Sequence, residues 1–363
     1  MSTKLRVGIV GAGFGQNVHL PAFRLLPDCE VVALLASSFE KTKALAQKLN
    51  IPEVYESWQE LLEQGRLDIL CISTLPGLQA EILAKALMMN LKIVAEKPLT
   101  LAYGQVPPLD ILFQAKSPAI AVDFEFLELP IWQRTQTLLR EGHIGQIQRA
   151  EVHWSMMTYA NRHKLDSWKT HTQQGGGALA AFGSHVFYYL EELLGPIANL
   201  QAVITKDVLD MRETDTAVTV NGRCVNGAEI VVHIVTNRAV EIEHRLEFSG
   251  TKGHLRLVNR TDDYMQGFEL LSAGLEARNF QILEGASALP GSVKDGRVFA
   301  VHSLLERWLQ KSDKPMSARR VPDWRAGCRV QLLLECALKS SSTKCRVEVP
   351  ETHLHKSPEI KWT

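Results

Sequence analysis

The sequence predicts an α/β domain built on a parallel sheet, followed by an α+β domain with a large open, mainly antiparallel sheet. Three observations carry this. Residues 5 to about 120 alternate short apolar runs with helical patterns, a glycine-rich turn follows the first run, and after about residue 145 strand-like segments succeed one another at short turns. The runs Val7–Val10, Val31–Ala36, Ile69–Ser73, Ile93–Ala95 and Ala119–Val122 give five strands with helices between them. Such crossovers are right-handed and cover a parallel sheet on both faces, so residues 1–122 read as a Rossmann domain. Residues 123–350 carry strand-like segments near 147–157, 198–206, 215–223, 228–236, 240–249 and 253–258. They also hold a glycine-rich loop leading into a helix near 178–194 and two late helices near 296–311 and 323–339, an α+β pattern. Residues 351–363 form a polar tail.

With 363 residues and 45% apolar content the chain can fill two cores. Lys plus Arg number 40 and Asp plus Glu number 40, a balance that lacks the basic surface nucleic acid requires. The six cysteines have no CxxC spacing and are expected to be reduced, as in a cytoplasmic protein. Met1–Arg6 carries charge rather than the apolar stretch of a secretory signal, and no segment reaches the roughly 18 apolar residues of a membrane span. Neither nucleic acid nor membrane is an expected partner.

Gly8-Ile9-Val10-Gly11-Ala12-Gly13-Phe14-Gly15-Gln16 follows the first strand and precedes a helical pattern, the context a dinucleotide fingerprint needs. Gly11 permits the tight turn, Gly13 lets backbone approach a pyrophosphate, and the helix start at Phe14, Gly15 and Gln16 offers free N–H donors. Gln16 fills the slot of the third glycine, and Gly15 can absorb that change. The bland alternative is an ordinary glycine-rich turn. At the end of the second strand, where an acid normally meets the ribose 2′-hydroxyl, stands Ala36-Ser37-Ser38. Ser37 and Ser38 with Lys41 and Lys43 suit a 2′-phosphate, which favours NADP over NAD. Ser37 and Glu40 also match a capping box, with the lysines on a solvated face, and both readings can hold.

Val94-Ala95-Glu96-Lys97-Pro98 puts a charged pair and a proline directly after a strand, where ligands sit in open α/β sheets, so Lys97 is expected to face the cofactor. Further on, Gly175-Gly176-Gly177-Ala178-Leu179 leads to Gly183-Ser184-His185. Together with Gly11-Ala12-Gly13, His19-Leu20-Pro21, Ser73-Thr74-Leu75-Pro76 and Phe248-Ser249-Gly250-Thr251-Lys252-Gly253, these stretches resemble the glucose-fructose oxidoreductase and inositol dehydrogenase (Gfo/Idh/MocA) family across nearly the whole chain. The resemblance implies that Glu96 faces the cofactor ribose, that Lys97 reaches nicotinamide ribose and substrate hydroxyl, and that Pro98 follows a cis peptide. It also places Thr74, Leu75 and Pro76 near the cofactor. A histidine frequent in the family is Gln79 here.

Hydride transfer at a carbinol carbon requires a titratable side chain touching the oxygen, and Lys97 could serve. His185 is the second catalytic candidate, on the flank of a helix whose stripe is Leu179, Phe182, Val186, Leu190 and Leu193; a histidine satisfied in a domain interface is the plainer reading. Many relatives carry an aspartate four residues before it, and here that position is Ala181. Glu125 is the suggested substitute and a further cofactor and substrate contact; it shares a face with Asp123 if the chain there is extended. Both acids could equally be solvated. Tyr159, Asn161, Trp168 and Lys169 could line a sugar-sized pocket.

The leading expectation is an NAD(P)-dependent oxidoreductase acting on a secondary alcohol or carbonyl of a sugar, cyclitol or related polyol, without metal. A cofactor-binding sensor without turnover, favoured by Ala181, is the alternative from another class. A biliverdin-reductase-like reductase and a redox-assisted glycosidase rank lower. An open sheet face suits a homodimer or homotetramer.

Overall fold

Five apolar runs become the strands of the first sheet: β1 (Leu5–Val10), β2 (Cys29–Leu35), β3 (Ile69–Ile72), β4 (Lys92–Ala95) and β5 (Ile120–Val122). The computed structural model describes residues 4–351 apart from 209, 213, 288, 290–292 and 311–319. All pairings in this sheet are parallel and the order is β2-β1-β3-β4-β5, so the strand order reverses between β1 and β3. The near-continuous burial of these strands is what two covered faces demand.

The second sheet has nine strands: β6 (Ile147–Ser155), β7 (Ile197–Lys206), β8 (Asp215–Cys224), β9 (Glu229–Val235), β10 (Glu243–Gly250), β11 (Gly253–Asn259), β12 (Phe268–Gly274), β13 (Gln281–Glu284) and β14 (Val347–Glu348). Their order is β13-β12-β11-β10-β6-β9-β8-β7-β14, antiparallel except where β6 meets β9. Alternation is clean in β10, where His244, Leu246 and Phe248 are buried and the residues between them are half-exposed. The open face carries ion pairs such as Arg149–Glu151 and Arg256–Glu247. The sequence reading stopped at β11. Strand β13 is mostly exposed and β14 has two residues, so neither shows the apolar alternation that marks a half-buried strand.

Contacts divide the chain into two compact units, Met1–Glu125 with Ser292–Cys328, and Phe126–Gly291 with Arg329–Thr363. The expected second domain ran unbroken over 123–350. Instead the helix Gly296–Leu309 joins the first unit, setting Val298, Val301 and Leu305 into one core with Val7, Ile9 and Phe23. Helical periodicity shows that a face is buried but not which sheet buries it. The expected tail, beyond Glu351, lies outside the described residues. All six cysteines are free thiols, and among the described residues no helix is long and apolar enough to cross a membrane.

Candidate active site

Strand register in the first unit brings five loops to one edge. Val10 is aligned with Leu35 and Ile72, Ile72 with Ala95, and Ala95 with Val122. Gly11, Ala36, Ser73, Glu96 and Asp123 therefore all leave the sheet at its carboxyl edge, with the order reversal between the first and third strands, where α/β sheets hold their ligands.

The glycine turn fits a dinucleotide. Gly11 has φ of +112°, and a Cβ there would stand 1.9 Å from the Ser73 carbonyl oxygen, so no side chain is possible. A Cβ on Gly13 would meet nothing within 4 Å, which leaves its backbone open to an incoming phosphate. Gly15 would press a Cβ to 2.9 Å from Ile9 Cγ2, so it supplies the close helix-to-strand packing that Gln16 cannot. It starts a π-helical turn, Gly15–His19, that continues into Leu20–Arg24; Phe14 stands edge-on to His19, ring centres 5.3 Å apart.

Beyond Gly13 a groove of about 430 Å³ is bordered by Ala12, Ala36, Ser37, Lys41, Ala44 and Leu45. Lys41 Nζ donates to Ser37 Oγ at 3.4 Å, whereas Lys43 turns away to Glu40 (3.7 Å) and the Phe39 ring. The cap of the helix Phe39–Leu49 is Ser38, whose Oγ accepts from the Lys41 N–H, and not Ser37 as the spacing to Glu40 suggested. Ser37 is thereby left on the groove. Thr74 and Leu75 form the turn into the helix Pro76–Ala86, with Pro76 at its first position.

The Lys97–Pro98 peptide is cis, as the resemblance implied. The Lys97 N–H donates to Glu96 Oε2 at 3.2 Å, and Glu96 Oε1 lies 3.0 Å from Nε2 of His19, which is wholly buried. Asp123 Oδ2 is 3.5 Å from the same nitrogen. Asp123 and Glu125 are 1% and 3% exposed, which rules out the solvated alternative. Burial works to lower the His19 pKa, but Cys71 and the carboxylates of Glu96 and Asp123 overcome it and raise it well above 6.5. Burial, with the charges of Glu125 and Glu96, raises Asp123 well above 3.8. Burial also pushes Glu125 up to about 7, against the opposing charge of Lys97. The ligand atoms of His19, Glu96 and Asp123 lie within 4.8 Å of one another.

In the second unit the glycine loop serves a buried carboxylate. Gly177 has φ of +110°, and a Cβ there would stand 1.9 Å from Asp215 Oδ1. Asp215 Oδ2 accepts the Leu179 N–H at 2.7 Å, capping the helical segment from a neighbouring strand. A π-helical turn, Leu179–Gly183, leads into the helix Ser184–Leu194. The sequence placed His185 on a flank; the helix is buried over nearly its whole circumference, and His185 is only 5% exposed, edge-on to Phe126 with ring centres 5.1 Å apart. Ala181 lies within the π turn. Tyr159 is 72% exposed, and Trp168 is half-buried under the Lys169 ammonium, 5.8 Å from its ring centre. Asn161 is a bracket: its amide donates to the Thr236 carbonyl at 2.8 Å.

Sequence reasoning missed four groups. From sequence alone His19 and Gln79 have no role, and Asp215 and His244 are only strand residues. His244 stacks on Trp154 (ring centres 4.0 Å apart) and shares a 3.2 Å hydrogen bond with the Tyr189 hydroxyl. Burial lowers its pKa to about 3 and raises that of Tyr189 well above 10. The available signal was a polar residue at a position whose sequence neighbours predict burial, since a buried polar side chain needs a partner.

A profile described as an oxidoreductase family with an NAD-binding Rossmann fold matches residues 5–124, and one for the GFO/IDH/MocA C-terminal domain matches residues 132–256. An uncharacterized oxidoreductase of Synechocystis sp. is 29% identical over 365 residues, covering 96% of this chain and 97% of the relative. Levoglucosan dehydrogenase in complex with NADH and L-sorbose superposes with a TM-score of 0.82 at 19% identity, over 97% of this chain and all of that one. An inositol dehydrogenase homolog from Azotobacter vinelandii, with NADH and myo-inositol, gives 0.78 at 17% identity, covering 96% of this chain and 98% of that one. The structures share the fold, the two profiles together take in both units, and the chain belongs to the GFO/IDH/MocA family of NAD-binding oxidoreductases.

Proposed function

We propose that this protein oxidises a secondary alcohol, or reduces the corresponding carbonyl, on a sugar, cyclitol or related polyol, with Lys97 carrying the proton. The observation that carries this reading is the Glu96–Lys97–Pro98 turn at the carboxyl edge of the parallel sheet, the edge that also bears the Gly11–Gly15 cradle. The nicotinamide supplies the hydride acceptor or donor when bound. Gly11, Gly13, Phe14, Gly15 and Gln16 hold the pyrophosphate end, and Thr74, Leu75, Pro76, Glu96, Pro98 and Glu125 border the ring end. Ser37 and Ser38 with Lys41 favour NADP, because a hydroxyl and an ammonium on the groove suit a 2′-phosphate and, among the described residues that border the groove, none is a carboxylate.

Lys97 Nζ holds or passes a proton at the substrate oxygen, and its charge already acts on Asp123 and Glu125. The first unit's candidates for substrate contact are Lys97 and Glu125. The second unit's are His185, as a further proton carrier, with Tyr159 and Trp168. The sugar and cyclitol bound in the two superposed structures support a polyol. We place the protein in the cytoplasm as a homodimer or homotetramer joined through the open sheet face.

The test is a screen of anhydrosugars, inositols and hexoses with NADP+ and NAD+, followed at the nicotinamide absorbance. Turnover with at least one polyol, and a larger thermal shift from NADP+ than from NAD+, is expected. Ala181, which removes a carboxylate neighbour from His185, favours a sensor as the second reading, and nucleotide binding without turnover on any alcohol would select it.

A further inference from the structure

We infer that Gln79 is the positioning residue of the Lys97 turn: its one buried amide fixes the backbone from Glu96 to Leu99 and so sets where Lys97 Nζ and the Glu96 carboxylate stand. Gln79 lies in the first turn of the helix Pro76–Ala86 and has no exposed surface. Its Oε1 accepts the Glu96 N–H at 3.0 Å. Its Nε2 donates to the carbonyl oxygens of Glu96 at 2.7 Å, Pro98 at 3.1 Å and Leu99 at 3.1 Å. Every side-chain hydrogen bond recorded for this residue thus falls on one four-residue segment.

Packing does not explain the residue. At a fully buried helix position an apolar side chain fills space without the desolvation an amide suffers. A turn whose Pro98, Leu99 and Thr100 are themselves buried, however, has carbonyls that water cannot reach, and they need donors from the protein. Gln79 supplies those donors to the two residues flanking Lys97 in sequence, while His19 holds the Glu96 carboxylate at 3.0 Å. Moving the turn by about 1 Å would shift Lys97 relative to its reaction partner, which costs on the order of 100-fold in rate.

This inference rests on the proposed role of Lys97, and its test has an arm that does not. Full-length Gln79→Leu, Gln79→Glu and Gln79→His are compared with wild type, with rates expressed per folded molecule. The leucine variant is expected to lose roughly 100-fold in kcat, with polyol KM and NADP+ affinity within about threefold. In the nucleotide-free protein the ¹⁵N resonance of His19 Nε2 should shift, because the Glu96 carboxylate leaves it. Histidine, with a ring N–H to donate, should recover at least about tenfold over glutamate, which keeps the acceptor and loses both donors. An unchanged kcat and an unchanged His19 resonance in the leucine variant overturn the inference. If that variant does not fold, equal kcat values for the histidine and glutamate variants overturn it. A wild type without turnover whose His19 resonance still responds to Gln79→Leu sinks the proposed function and keeps Gln79 as the brace of the turn.

Discussion

Two buried histidines, one in each unit, sit in opposite surroundings. His19 lies among Cys71, Glu96 and Asp123, which together raise its pKa well above 6.5 against the effect of burial. His244 lies among Trp154, Phe126 and Tyr189, and burial keeps it neutral. The same side chain is pushed toward its charged form in one core and toward its neutral form in the other, because its neighbours set which form is less costly to bury. The first arrangement stands where a cofactor is expected and carries unequal charge; the second has one hydrogen-bonded pair and packs like any core.

The two cages should answer pH in opposite senses. His19 holds, in the folded chain, a proton that the unfolded chain gives up above 6.5, so its contribution is full below 6.5 and is lost as pH rises through its higher folded value. Glu125, at about 7 instead of 4.5, works in the same direction between those values. His244, at about 3 folded, is the reverse: the unfolded chain binds a proton below 6.5 that the folded chain refuses, so stability is lost as pH falls toward 3.

The largest expected effect comes from His19→Leu, which removes the imidazole 3.0 Å from Glu96 and 3.5 Å from Asp123. A loss of about 3–5 kcal/mol in urea unfolding follows, and a loss under about 1 kcal/mol would mean the cage is not charged. Next is Gly177→Ala, where a methyl meets Asp215 Oδ1 at 1.9 Å with φ at +110°. It should cost about 2–3 kcal/mol, measured by hydrogen exchange in the helix Ser184–Leu194, with little change at Gly11–His19. The smallest effect at neutral pH is that of His244→Phe, about 1–2 kcal/mol at pH 7, the cost of leaving the buried Tyr189 hydroxyl without its partner. This variant should flatten the acid side of the stability profile below 6.5 while leaving the alkaline slope from His19 untouched; an unchanged acid slope would remove the distinction between the cages.

How much was legible follows from the same physics. The parallel sheet and six strands of the second sheet were readable, because a strand buried on both faces is a continuous apolar run and a half-buried strand alternates. Local turn chemistry was readable too, in Gly11 and Gly13, while the cis peptide at Pro98 came from the family resemblance. The return of Gly296–Leu309 to the first core was not, since a buried stripe carries no address. Nor was the burial of Asp123 and Glu125, because a carboxylate at a strand end reads as solvated until its partners are known. Gln79 and Asp215 bond backbone atoms distant in sequence, 17 and 36 residues away, and no local pattern reports such a partner.

We propose that Lys97 does chemistry at a nucleotide site assembled from the loops of the parallel sheet. Lys97→Met, assayed for polyol-dependent NADP+ reduction and for NADP+ affinity by fluorescence quenching, tests it most directly. A fall in kcat of about 1,000-fold is expected, with affinity within roughly threefold of wild type. Turnover that survives, or turnover and affinity lost in equal proportion, would contradict it.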